Sequence, residues 1–135
     1  WSYRNILDTL FGAGLTKNET TGASYTSVFS TGTSRPTRLK MDLSGYREAR
    51  LHVFAGVQIG SSQGTVKIVD VSSGGGPYDM TGTVTLTSTT LSTQSSVWTS
   101  LNAATYAGDT TFEAQHQEGA GADVLRYDNI AVEFR

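Results

Sequence analysis

The chain has 135 residues, a formal net charge of −2 and no cysteine; 20 residues are Thr, 15 Ser and 15 Gly, and only 16% are charged. A chain of that length suits one domain and buries enough surface to fold without staples. Without cysteine there are no disulfide frameworks, thiolate zinc sites or cysteine nucleophiles, and without a Lys/Arg run there is no electrostatic footprint for nucleic acid.

The first residues read differently from the rest. Trp1, Tyr3, Ile6, Leu7, Leu10 and Phe11 recur at three- and four-residue spacing, and Gly12 and Gly14 close the stripe. That spacing predicts a short amphipathic helix, so residues 1–18 form an N-terminal arm and 19–135 a β-sandwich domain. The helix either covers one end of the sandwich or docks on a neighbouring subunit, with Trp1, Tyr3, Leu7 and Leu10 as its anchors. The chain begins at Trp1 without a Met or a signal peptide, which reads as a piece of something longer.

From about residue 23 the period changes to two. Segments 23–30, 37–43 and 49–57 are strand candidates; in the third, Ala49, Leu51, Val53, Ala55 and Val57 share one face, and Arg50, His52 and Phe54 take the other. Segment 65–71 follows, and then the turn-forming run Ser72–Pro77. Segment 81–91 alternates Thr81, Thr83, Thr85, Thr87 and Thr89 against Val84 and Leu86, which predicts one strand with a hydroxyl-covered side. Segments 97–101, 110–117 and 124–134 complete about eight strands separated by Gly, Ser and Asn turns. An all-β antiparallel sandwich of the jelly-roll kind is therefore expected. No apolar stretch approaches the ~20 residues of a membrane-spanning helix.

Little in the sequence points to catalysis. A nucleophile needs a base beside it and a third group to orient that base. The two histidines, His52 and His116, both lie within strand candidates and read as sheet-face residues, and no Gly-x-Ser-x-Gly elbow occurs. Glu113, Glu118, Asp123 and Asp128 cluster toward the C-terminus, but their spacing singles out no glycosidase pair. We expect no enzyme activity.

Two binding chemistries remain open. Asp123, Asp128 and Asn129, with Asp109 before the neighbouring strand, could offer oxygens to calcium. An Asx turn explains Asp128 and Asn129 more simply, so no metal or other cofactor is expected. Tyr78, Trp98, Tyr106 and Tyr127 sit in or near loops and could stack on a sugar, Tyr78 being the one expected in solvent and Trp98 reading as a core plug. Asn18-Glu19-Thr20 is a formal glycosylation acceptor.

Three passages carry a family resemblance. Met41–Val53 contains Asp42-Leu43-Ser44-Gly45-Tyr46 followed by Ala49-Arg50-Leu51; Ser96–Leu101 contains Trp98 and Leu101; and Arg126–Phe134 contains Tyr127-Asp128-Asn129-Ile130. Together they resemble galactose-binding-like jelly-roll domains over roughly residues 23–135. Such domains are similar to carbohydrate-binding modules of secreted enzymes and to sandwich domains of bacteriophage virions, as capsid decoration or tail accessory proteins. The resemblance implies a non-enzymatic virion-surface protein, extracellular in the broad sense, that docks on other virion proteins or on copies of itself. A carbohydrate-binding module and an extracellular filament or adhesion subunit are the alternatives.

Overall fold

The computed structural model describes residues 2–5, 17–28, 38–60, 62–72, 78–102, 105–119 and 124–135. Among them run twelve strands: β1 (Ser2–Asn5), β2 (Lys17–Thr20), β3 (Thr26–Ser27), β4 (Arg38–Asp42), β5 (Glu48–Val57), β6 (Gly64–Asp70), β7 (Tyr78–Asp79), β8 (Val84–Leu86), β9 (Ser92–Ser95), β10 (Thr99–Ser100), β11 (Asp109–Glu118) and β12 (Val124–Phe134). All pairings are antiparallel.

Each of the two sheets has two long central strands flanked by broken ribbons. In the first, β12 and β5 are central; β1 and β2 lie along the far side of β12, and β9 and β10 along the far side of β5. In the second, β11 and β6 are central, with β3 and β4 beyond β11 and β7 and β8 beyond β6. Counting each broken ribbon as one strand gives eight, four to a sheet. The chain passes between the sheets at every step except from β6 to β7/β8. That alternation is jelly-roll connectivity.

Alternation along the central strands builds the core. Ala49, Leu51, Val53, Ala55 and Val57 of β5 are buried, as their period-two spacing requires, while Arg50, His52 and Phe54 face outward. Opposite them β6 and β11 contribute Val66, Ile68, Phe112 and Ala114. Strand β12 would fall out of phase without a bulge. Tyr127 lies opposite Ala55 and Asn129 opposite Phe54, so Asp128 is the extra residue. The bulge lets both Tyr127 and Ile130 face inward, and both are fully buried.

The three passages that carried the resemblance are structural devices. Asp42 Oδ1 accepts from Ser44 N–H at 2.9 Å and from Ser44 Oγ at 2.6 Å, and these bonds hold its pKa below the usual carboxylate value. Tyr46 N–H closes the turn on Leu43 C=O at 3.1 Å, and Gly45 sits at φ +91°, where a side chain would be strained. Tyr46 then packs on Phe134 with ring centroids 5.6 Å apart.

The ribbon Ser92–Ser100 bulges against β5: three steps from His52 to Ala49 face four from Ser95 to Thr99. Ser96 repairs the ladder there. Its N–H donates to Leu51 C=O at 2.9 Å, and its Oγ accepts from Leu51 N–H at 2.9 Å. Across the sandwich the same device recurs. Three steps from Val69 to Val66 face five from Asp79 to Val84. There Met80 N–H donates to Ile68 C=O at 2.9 Å and Thr81 Oγ1 accepts from Ile68 N–H at 3.1 Å. Both hydroxyl residues are buried.

Two sequence expectations change. Residues 81–91 do not form one strand: only Val84–Leu86 does, because the ribbon must bulge at Thr81, which turns inward instead of lining a solvent face. At the N-terminus Ser2–Asn5 is strand, not the first turn of a helix, because its backbone pairs with Ala131–Phe134. Trp1, Leu7 and Leu10 lie outside the described residues, as does the helix expected beyond Asn5. No helix among the described residues is long and apolar enough to cross a membrane.

Candidate functional site

The four aromatic residues named from sequence go to three places. Tyr127 is in the core, where its hydroxyl meets His116 Nδ1 at 2.8 Å. Burial raises its pKa well above the usual tyrosine value, so it stays a neutral hydroxyl. The bulge at Asp128 puts it there, which rules it out as a sugar platform. Trp98 is no core plug either. It is half-buried on the outer face of the first sheet, with the Arg50 and Arg135 guanidinium carbons 4.6 and 4.0 Å from its ring centroid.

Tyr78 and Tyr106 come together. They line an open cleft of about 510 Å3 with Asp79, Ser100, Asn102 and Thr105. Strand β7 supplies Tyr78 and Asp79, β10 supplies Ser100, and the connection from β10 to β11 supplies the rest. The cleft thus spans the side of the sandwich where the two bulged ribbons meet, tied there by Gly82 N–H donating to Thr99 Oγ1 at 3.0 Å. Thr105 and Tyr106 N–H groups both donate to Asn102 C=O, at 3.0 and 2.9 Å.

The two rings play different parts. Tyr106 is 7% exposed and belongs to the core cluster; Tyr78 is 50% exposed. Burial first, and then the charge of Asp70, raises the Tyr106 pKa, so its hydroxyl stays protonated. Asp79 pairs with Lys67 at 2.7 Å and keeps 59% of its side chain in solvent. One free ring, one fixed ring and a rim of hydroxyl, amide and carboxylate groups match the make-up of a small-ligand site.

A second polar cluster lies on the outer face of the first sheet. Glu133 is fully buried there, and its Oε1 receives Arg50 Nε at 2.5 Å and contacts His52 Nε2 at 2.9 Å. His52 Nδ1 meets Ser95 Oγ at 2.5 Å. Tyr3 covers the carboxylate, with its ring 5.5 Å from that of His52, and its hydrogen bond to Glu133 raises the phenol pKa. Burial works to raise the Glu133 pKa, but hydrogen bonds from His52, Arg50 and Tyr3 outweigh it and hold the group ionised.

Ser95, His52 and Glu133 therefore have the connectivity of nucleophile, base and carboxylate, which sequence spacing did not reveal because three strands supply them. Arg50 changes what the cluster can do. Its Nε also lies 3.1 Å from His52 Nε2, so the guanidinium competes for both the ring nitrogen and the carboxylate. A working triad needs that carboxylate to stabilise an imidazolium. Here the Arg50 guanidinium already pairs with that carboxylate.

For calcium, Asp123 lies outside the described residues, Asp128 is the bulge residue and Asn129 is next to it. Among the described residues no three His, Asp or Glu side chains gather as metal ligands do. No protein-family model and no curated protein matches the chain.

Proposed function

We propose that this chain is a binding domain of a virion or extracellular surface that takes an uncharged glycan in the Tyr78–Tyr106 cleft and performs no chemistry on it. The observation that carries the reading is the pairing of an exposed tyrosine with a fixed, buried one across a rim of polar groups. A sugar ring presents an apolar face to stack and hydroxyls at its edge to bind, and the cleft offers both. The charge of Asp70 beside Tyr106 disfavours uronic and sialic acids, whereas Asp79 at the rim is paired with Lys67.

A glycan array followed by titration against Tyr78→Ala and Tyr78→Phe tests this. Binding that is lost in the alanine variant and retained in the phenylalanine variant supports stacking in the cleft. An array without hits, or binding indifferent to Tyr78→Ala, overturns it.

One observation favours a second reading, a virion-surface subunit that docks on its neighbours. The N-terminal strand β1 occupies a sheet edge while Tyr3 and Arg4 stay exposed, as an arm that also engages a partner would. Molecular mass in solution across a range of concentrations tests it: a discrete oligomer supports docking, and a monomer throughout overturns it.

A further inference from the structure

Asp70 carries a carboxylate with no cation to answer it. The residue ends β6 and is 3% exposed. Val66, Ile68 and Asp70 alternate onto one face of that strand, and the first two belong to the core, so Asp70 also points between the sheets. Its Oδ1 accepts from Ser72 N–H at 2.8 Å and from Ser72 Oγ. Both donors are neutral, and among the described residues no ion pair includes Asp70. A buried charge held this way is costly, and salt screens it little.

Its field falls on the cleft. Tyr78 lies directly opposite Asp70 in the β6–β7 ladder, and cross-strand partners share a face. The charge of Asp70 also reaches the Tyr106 phenol, where it adds to burial in raising the pKa. Asp70 therefore lies beside both rings without itself lining the cleft. The described residues that do line it include no Lys, Arg or His. Asp79, the other carboxylate there, is paired with Lys67 at 2.7 Å. The negative faces of the two tyrosine rings act in the same direction as Asp70.

We propose that the cleft ranks glycans by charge, a sugar with a free, protonated amine binding tighter than the neutral sugar and the neutral sugar tighter than the acid, with Asp70 setting the order. The proposal rests on the glycan reading and extends it from uncharged sugars to cationic ones. An ammonium group on the sugar meets a tyrosine face and the field of Asp70 together. A hydroxyl in its place has no net charge to be attracted, and a carboxylate is repelled. Asp70 acts through space, from beneath the rings, and touches no sugar.

Methyl glycosides of glucose, glucosamine and glucuronic acid, and the matching galactose series, are titrated into the protein while the ring signals of Tyr78 and Tyr106 are followed by NMR. In the series that binds, the amine should be about three- to tenfold tighter than the neutral sugar, and the acid weaker than both. Asp70→Asn keeps an oxygen for the Ser72 bonds and removes the charge. It should bring the three affinities together and leave that of the neutral sugar unchanged. The N-acetylated glycoside keeps the nitrogen without its charge and should fall back to the neutral sugar's affinity, a comparison that needs no variant.

A neutral sugar that binds as tightly as its amine overturns the ranking and leaves the glycan reading standing. An order that persists in Asp70→Asn overturns the role of Asp70. If no sugar moves either ring signal, the glycan reading fails and the ranking with it.

Discussion

His116 Nδ1 and the Tyr127 hydroxyl lie 2.8 Å apart between the two sheets, and both side chains are buried. The imidazole comes from β11 and the phenol from β12, one central strand of each sheet. Burial lowers the His116 pKa from 6.5 to about 4, so it is neutral at physiological pH.

That shift predicts a pH dependence of stability. Below pH 6.5 the unfolded chain takes up a proton that the folded imidazole refuses until about pH 4. Stability is therefore full above pH 6.5 and declines between 6.5 and 4, by about 3 kcal/mol in all. Asp42 and Glu133, whose pKa values are lowered, add their own losses below the ordinary carboxylate range. Urea unfolding across this interval should show the slope, and His116→Gln should flatten it. An unchanged slope in that variant would show that another group is responsible.

The Arg50–Glu133 pair should respond asymmetrically. Glu133→Ala leaves a partly buried guanidinium without its carboxylate and should cost about 3 kcal/mol. The double variant Arg50→Met with Glu133→Leu removes both charges at similar volume and should recover most of the loss. Thermal or urea unfolding of Arg50→Met, Glu133→Leu and the double variant completes the cycle.

Two glycines separate close packing from open space. A Cβ on Gly56 would come within 2.6 Å of the Ser88 carbonyl oxygen, whereas one on Gly60 would meet nothing within 4 Å. Gly56→Ala should cost about 2–3 kcal/mol because backbone must move, and Gly60→Ala should stay within about 0.5 kcal/mol of the parent. Equal effects would mean that the approach of Ser88 to β5 is not fixed.

Removing the hydroxyls at the two bulges tests whether they complete the ladders. Ser96→Ala strands the Leu51 N–H and Thr81→Ala strands the Ile68 N–H, each within the buried sandwich. Each should cost about 1–3 kcal/mol, the penalty for an unmet buried donor. Ser92→Ala, on the exposed part of the same ribbon, is the control and should be near neutral.

The long strands were readable because a buried face imposes strict alternation. The expected core set of segment 49–57 is buried in β5, where Gly56 joins it, and segment 124–134 is β12 itself. What was hidden depended on long-range pairing. The apolar spacing around Tyr3 looks helical, yet Ser2–Asn5 pairs with a strand more than a hundred residues away, and sequence periodicity carries no term for that. One bulged residue, Asp128, decided that Tyr127 faces the core. Tyr78 was expected in solvent and is there, but its meeting with Tyr106 depends on the β10–β11 connection folding across the sandwich side. The Ser95–His52–Glu133 contact likewise needs three strands in register.

The bulges sealed by Thr81 and Ser96 also affect how the molecule behaves in a crowd. A long, straight, unpaired strand invites self-templated growth into fibrils. Beyond β5 and β6 the outer ribbons break into segments of two to four residues, and at each break an inward hydroxyl satisfies the inner strand. Neither margin offers an uninterrupted row of backbone groups to a passing chain. The composition rich in Ser and Thr thus has a structural use at these margins, where two of its hydroxyls interrupt the row that another chain would have to pair with.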